Sequence, residues 1–154
     1  MRALIHIALV TACLAGTAFA GPVNVIPNPM RIETQPGEFA FTPDTVIVAG
    51  GAARAVAERF AGALGDAGVG DFRIVGSVPD AADAPLVAFR IDPAFAALGD
   101  EGYALTVDPA RIDASAATPT GLFYALQTLR QLLPAPGAPL AIPCLRIEDK
   151  PRFA

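Results

Sequence analysis

The chain has 154 residues, of which 53% are hydrophobic, and a formal net charge of −4. This length is enough for one domain with a core of its own, and an acidic chain without a basic patch is a poor nucleic-acid binder. The only histidine, His6, and one of the two cysteines, Cys13, lie within the first twenty residues.

Residues 1–20 have the pattern of a secretory signal peptide. Arg2 gives a positive start, residues 3–15 form an uncharged apolar run, and residues 18–20 (AFA) are a cleavage site of the A-x-A type. The run is shorter than the ~20 residues that a membrane-spanning helix needs. We therefore predict export to the periplasm or the medium, with cleavage before Gly21. The alternative is a lipoprotein signal in which Cys13 is lipidated, which would place the domain on a membrane.

Cleavage would leave residues 21–154, a single domain with a net charge of −5, no histidine and one cysteine, Cys144. A lone cysteine excludes an internal disulfide. The lack of histidine excludes His-based catalytic triads, and with one cysteine the usual zinc ligand sets are excluded as well. We therefore expect no metal and no cofactor in this domain.

The first half of the domain is predicted to consist of short strands around one helix. After a proline-rich start, strands are predicted at 31–34, 38–41 and 45–48, with a turn at Pro36-Gly37 between the first two. The apolar spacing then predicts a helix over 52–64. Two buried strands, at 72–75 and 86–91, are separated by a loop rich in alanine, aspartate and proline.

The second half contains the strongest helix signal in the chain. Residues 93–98 suggest a helical turn, 103–107 alternate as a strand, and 111–114 could return as the second arm of a hairpin. A helix over 118–133 follows, with a capping threonine, a proline at its first position and leucines recurring on one face. The last predicted strand is 144–147. Together these elements predict an α/β (α+β) fold with two layers, in which two helices pack on one face of a mostly antiparallel sheet.

Several acidic residues are of the types used in catalysis. Asp100-Glu101 could divide acid and base roles, but the glycines on either side indicate a solvated turn. The pair Asp80 and Asp83 lies in a loop and is interpreted as solubilising surface. The run Glu148-Asp149-Lys150 is interpreted as an exposed polar exit from the last strand.

The remaining candidates also have structural interpretations. Tyr103 and Tyr124 could stack on a sugar ring, although aromatic residues at strand and helix positions usually serve packing. Cys144 has apolar neighbours and is predicted to be an inert buried thiol. Gly50-Gly51 ahead of a helix could bind an anion, but the longer glycine motifs are missing. The residues therefore predict no catalytic, cofactor-binding or metal-binding site.

Six stretches of the sequence are nevertheless informative when they are taken together and in chain order. They are residues 25–29 (VIPNP), 99–105 (GDEGYAL), 117–129 (ATPTGLFYALQTL), 142–143 (IP), 146–149 (RIED) and 151–153 (PRF). In this order they resemble the non-catalytic N-terminal domain of the bacterial β-N-acetylhexosaminidases of glycoside hydrolase family 20. The helix stretch resembles the family pattern A-x-G-x-F-Y-G-L-Q-T-L, with Ala125 where a glycine is common.

The resemblance implies a small domain, a sheet with helices on one face, that precedes a catalytic (β/α)₈ barrel. In that family an Asp-Glu pair lies deep in the barrel and the substrate's own acetamido oxygen attacks, which is an exception to the scheme of two enzyme carboxylates. Asp100-Glu101 only looks like that pair. None of the family's catalytic residues is implied for this chain, which looks truncated before the barrel.

Two functions follow as hypotheses. The first is a non-catalytic domain of an exported β-N-acetylhexosaminidase, whose partners are a barrel in the same enzyme and a glycan substrate. The alternative is a free-standing periplasmic module that binds carbohydrate or acts as a scaffold. If the domain packs on a barrel, we expect the docking surface in residues 142–153, which would cross into the next domain.

Overall fold

The computed structural model describes residues 23–66, 70–79, 84–135 and 137–150. Its strands are β1 (Arg31–Ala40), β2 (Val46–Ala49), β3 (Arg73–Val75), β4 (Leu86–Ile91), β5 (Tyr103–Asp108), β6 (Arg111–Ala116) and β7 (Ala141–Asp149). The α-helices are α1 (Arg54–Asp66) and α2 (Pro119–Leu132), and short 3₁₀ helices occupy Gly51–Ala53 and Pro93–Leu98. The predicted helices and strands are present with bounds that differ by a few residues, except that the predicted strands 31–34 and 38–41 are one strand.

The strands form one seven-stranded mixed sheet in the order β1-β7-β5-β6-β4-β2-β3. Strand β7 pairs antiparallel with β1 and β5, and β5 pairs antiparallel with β6, while β4 runs parallel to both β2 and β6, and β3 runs parallel to β2. The antiparallel pairings include more paired residues than the parallel ones. The predicted α+β class, with a mostly antiparallel sheet and two helices, is confirmed.

Helix α1 is the crossover between two parallel neighbours, whereas α2 connects two strands that lie on either side of a third. Helix α1 connects β2 to β3, and α2 leaves β6, passes over β5 and returns the chain at β7. The larger of two core clusters lies between the helices and the sheet, and its largest fully buried side chains include Phe39, Phe60, Phe89, Leu105, Leu122, Leu126, Leu129 and Leu145. One face of each helix and inward-facing residues of the strands contribute to this core. The opposite faces of the helices are therefore left on the outside of the domain.

Strand β1 corrects the prediction of two short strands with a turn at Pro36-Gly37. It is continuous, and its register against β7 shifts between Thr34 and Glu38. Gly37 has a φ of 102°, which suits glycine at a bulge. Because β1 is an edge strand, a proline that donates no ladder hydrogen bond is tolerated there.

Strand β7 corrects two further predictions. It begins at Ala141 and ends at Asp149, so Glu148 and Asp149 belong to the strand rather than to an exit from it, while Glu148 and Lys150 are exposed as predicted. Its apolar side chains Ile142, Leu145 and Ile147 lie in the core of the domain. The docking surface expected in residues 142–153 is therefore wrong for its first part, because those side chains are already covered. Residues 151–154 lie outside the described residues.

Candidate functional site

A groove of about 610 Å³ runs between the chain's leading segment, residues 23–30, and one side of α2. We call it the α2 groove. Its lining comes from three places, namely the leading segment, α2 and the ends of β5 and β7. The lining residues are Val25, Ile26, Pro27, Asn28, Glu101, Tyr103, Tyr124, Gln127, Thr128, Gln131, Asp149 and Lys150.

Helix α2 is fixed at its beginning by a hydroxyl that makes two hydrogen bonds. The Thr118 Oγ1 atom accepts from Gly121 N at 3.1 Å, as the predicted cap requires, and donates to the carbonyl oxygen of Asp100. The second bond ties the Gly99–Gly102 turn to the first turn of α2. Glu101, on that turn, thereby reaches the rim of the α2 groove.

The leading segment has no strand partners; Val25 packs into the core, and two side chains hydrogen-bond to the segment's backbone. The Gln131 amide accepts from Ile26 N at 2.8 Å and donates to Ile26 O at 3.0 Å, which imitates one step of a β-ladder. At the segment's other end, Asp149 Oδ1 accepts from Met30 N at 2.9 Å. These bonds connect residues more than one hundred positions apart and set one wall of the α2 groove.

Tyr103 forms the floor of the α2 groove. Its side chain is only 3% exposed, and its hydroxyl is 2.6 Å from Thr128 Oγ1, so both polar groups are paired. Burial raises the pKa of Tyr103, the hydrogen bond with Thr128 acts in the opposite direction, and the charge of Asp149 makes a smaller upward contribution. Tyr103 therefore stays neutral well above physiological pH.

The structure brings together several of the residues that the sequence singled out. Glu101, Tyr103, Tyr124, Asp149 and Lys150 all line the α2 groove. Asp100 and Glu101 lie in the predicted exposed turn. Tyr103 serves packing, as expected, whereas the Tyr124 side chain is 42% exposed.

The other candidates lie elsewhere. Cys144 is buried in β7, where burial raises the pKa of its thiol, and the nearby charges of Asp108 and Glu38 add to the increase. Gly50 is the N-cap of the 3₁₀ helix Gly51–Ala53, which leads directly into α1. Asp80 and Asp83 lie outside the described residues, as do residues 1–20 with Cys13 and the predicted cleavage site.

Sequence reasoning missed the role of Gln131 and Gln127. The spacing of α2 places both opposite its leucine face, yet Gln131 holds the leading segment and Gln127 is half-buried in the α2 groove. Helical spacing places a residue on a face but does not say whether a distant segment covers that face. The signal that was available is the VIPNP stretch, whose prolines limit it to an extended form that must pack on something.

Several polar groups of the α2 groove are hydrogen-bonded within the domain. The Asp149 carboxylate accepts a hydrogen bond from Met30 N, and the hydroxyls of Tyr103 and Thr128 are hydrogen-bonded to each other. Across the described ranges, no group of three or more His, Cys, Asp or Glu side chains is placed to hold a metal ion. None of the helices in these ranges is long and apolar enough to cross a membrane.

A family model and a known protein match most of this chain. The family model described as glycosyl hydrolase family 20, domain 2, matches residues 22–150. A β-N-acetylhexosaminidase from Cellulomonas fimi is 35% identical over 139 residues, which cover 86% of this chain and 27% of that protein.

Solved structures agree with the fold. Streptomyces plicatus N-acetyl-β-hexosaminidase, in complex with Thio-NAglucal, has a TM-score of 0.69 and 31% identity over 84% of this chain and 26% of that chain. The β-N-acetylhexosaminidase of Streptomyces coelicolor A3(2) has a TM-score of 0.69 and 29% identity over 84% of this chain and 27% of that chain. This chain thus spans about a quarter of the length of these relatives.

Proposed function

Because the chain belongs to glycosyl hydrolase family 20 as its domain 2, we propose that it is the non-catalytic N-terminal domain of an exported β-N-acetylhexosaminidase. The enzyme would remove terminal N-acetylhexosamine from glycans, with its chemistry in a barrel joined to this domain. The observation that carries the proposal is the match of residues 22–150 to one domain of enzymes about four times as long.

The geometry of the described residues supports a non-catalytic role. Acyl and glycosyl transfer depend on charged groups held in place around the reacting atoms. In the α2 groove, the Asp149 carboxylate binds a backbone amide, and Glu101 lies on an exposed turn. These carboxylates have structural or solvated positions, which suit a supporting domain.

A second candidate is a free-standing carbohydrate-binding module. The observation that favours it is the half-open Tyr124 ring beside the Gln127 amide in the α2 groove, since an aromatic face and amides are the usual means of holding a sugar. The first candidate requires a catalytic barrel in the same enzyme, whereas the second functions without one.

The deciding experiment is to sequence the DNA that follows codon 154 in the source genome. We expect an open frame that encodes a barrel with an Asp-Glu pair. A stop codon with no barrel encoded in the same transcript would contradict the enzyme proposal and favour the module.

A further inference from the structure

The leading segment packs on the domain almost from the predicted cleavage site onwards. Only Gly21 and Pro22 separate Ala20, the last residue of the AFA site, from Val23. The Val23 side chain packs against the core, and Val25 belongs to the core with 6% exposure. One residue spans at most about 3.6 Å of extended chain, so residues 21–22 reach roughly 7 Å from Val23. The bond before Gly21 therefore stays close to the domain as long as Val23 is packed.

The residues after Val25 are held by hydrogen bonds as well as by packing. The Ile26 N atom donates to the Gln131 amide oxygen at 2.8 Å, and Ile26 O accepts from the amide nitrogen at 3.0 Å. Further along, Met30 N donates to Asp149 Oδ1. We call the segment docked when Val25 is buried and these three hydrogen bonds are made. In the docked segment both backbone polar groups of Ile26 are already paired.

A protease needs the chain on both sides of the bond that it cuts. That stretch must enter the cleft of the enzyme, and a cleft encloses most of what it binds. In a folded protein this requires backbone that is free of burial and of hydrogen bonds to the rest of the domain. Residues 21–22 are too short to carry the bond into a cleft, so Val23 and the residues that follow must leave the domain before the bond is cut.

We infer that docking of the leading segment and cleavage before Gly21 compete for the same stretch of chain, so that residues 1–20 are removed while the segment is undocked. The inference rests on the proposed export and adds to it the order of the two steps. Because residues 25–28 line the α2 groove, the groove is completed after the signal peptide has been removed. A precursor that docks its leading segment first keeps its signal peptide.

The rate of cleavage by a purified bacterial signal peptidase tests the order. The full chain, residues 1–154, is refolded in detergent micelles before the peptidase is added. The undocked reference is Leu126→Asp, because a charge at this fully buried position prevents the core from forming. We expect the refolded precursor to be cut before Gly21 at least about tenfold more slowly than this reference, since cleavage follows the population of the open form.

A spacer separates the two steps without changing the docked segment. About ten glycine and serine residues inserted after Pro22 add up to roughly 33 Å of reach, so the refolded variant should be cut nearly as fast as Leu126→Asp. The matched control carries the same spacer after Ser77, an exposed residue in the loop between β3 and β4. That variant should be cut as slowly as the refolded precursor.

Two glutamines of α2 show whether the docked segment is the cause of the protection. Gln131→Ala removes both hydrogen bonds to Ile26, so the segment opens more often and cleavage of the refolded precursor should accelerate by about tenfold. Gln127→Ala is the matched control, because this amide also lines the α2 groove but is not bonded to the Ile26 backbone. Cleavage of that variant should stay slow.

The outcomes separate the inference from the proposed export. Equal cleavage of the refolded precursor and Leu126→Asp overturns the inference and leaves the export standing, because the signal peptide is then removed in either state. Failure to cut Leu126→Asp before Gly21 overturns both. Slow cleavage that persists with the spacer after Pro22, or equal rates for the two glutamine variants, also overturns the inference. If the precursor aggregates, a polar leader ending in the recognition sequence of a site-specific protease replaces residues 1–20, and cutting that is equally fast with and without the spacer overturns it there.

Discussion

At the scale of single residues, two glycines explain why the turn before β5 and the first turn of α2 lie so close together. A Cβ atom at Gly121 would be 2.3 Å from the carbonyl oxygen of Gly102, and one at Gly102 would be 2.2 Å from the carbonyl oxygen of Leu98. Real Cβ atoms do not approach backbone oxygens so closely. Both glycines belong to the stretches that resemble the family, so these stretches have a packing role in this domain.

We predict that Gly121→Ala lowers the free energy of unfolding by about 1–3 kcal/mol, since the added methyl must displace backbone. The matched control is Gly62→Ala in α1, where a Cβ would meet nothing within 4 Å. That change should stabilise the domain by about 0.5–1 kcal/mol, because alanine loses less backbone entropy in a helix. Urea unfolding measures both, and equal stability of the two variants would contradict the close approach.

Tyr103 gives a prediction about alkaline pH. Burial raises its folded-state pKa above the ordinary value of 10.0, so the unfolded chain loses this proton first. The contribution of neutral Tyr103 to stability is therefore complete below about pH 10 and is lost as the pH rises through the folded-state pKa.

The measurement uses Tyr124→Phe, which leaves Tyr103 as the only tyrosine. The ultraviolet absorbance of tyrosinate should then appear at a higher pH in the folded variant than in the same variant unfolded in urea. Tyr103→Phe is the control, in which the alkaline loss of stability should be less steep. Coincident titrations in the folded and unfolded variant would contradict the assigned burial.

At the scale of elements, the sequence predicted each helix and strand because each carries its own local signal. Helix α2 has its cap at Thr118, its proline at Pro119 and its leucine face, and the observed bounds follow from these. The errors arose where a distant partner decides. Strand β1 passes through Pro36-Gly37 as one strand because β7 pairs with it on both sides of a bulge, and a local turn signal contains no information about that partner.

The α2 groove could be predicted only in part for the same reason. Glu101, Tyr103 and Tyr124 stand out by residue type, but their meeting depends on α2 crossing β5 and on the leading segment returning to α2. Gln131 looks like any exposed helix amide in the sequence. Its two hydrogen bonds to Ile26 span 105 positions, so the local periodicity of the sequence does not reveal them.

We predict that Gln131→Ala loosens the leading segment around Ile26, because it removes both hydrogen bonds to that residue. Each such bond contributes about 0.5–1.5 kcal/mol, so exchange of the Ile26 amide with deuterium should accelerate by roughly tenfold or more while the core strands exchange as before. Gln131→Glu keeps an acceptor for Ile26 N and loses the donor, so its exchange should be intermediate. Unchanged exchange in both variants would show that the segment is held by other contacts.

At the scale of the whole molecule, the proposed export makes a prediction about the N-terminus. The apolar run and the AFA site in residues 1–20 predict that cleavage leaves Gly21 as the first residue. Intact mass spectrometry of the protein recovered from the periplasm or medium should give the mass of a chain that starts there. A mass corresponding to a lipidated N-terminus at Cys13 would instead place the domain on a membrane.

Whether this domain alone can act on a glycan is also a question about the whole molecule. Substrate-assisted hydrolysis needs a carboxylic acid and an orienting carboxylate held around one sugar, and such preorganised electrostatic stabilisation is usually the largest contribution to catalysis. Here the Asp149 carboxylate binds Met30 N, and Glu101 lies on a turn fixed through Asp100 and Thr118 rather than through its own carboxylate. We therefore expect residues 21–154 to hydrolyse a chromogenic N-acetylglucosaminide no faster than buffer does. Hydrolysis that copurifies with the domain and disappears in Glu101→Gln, while Glu148→Gln retains it, would make Glu101 an acid catalyst and contradict the supporting role.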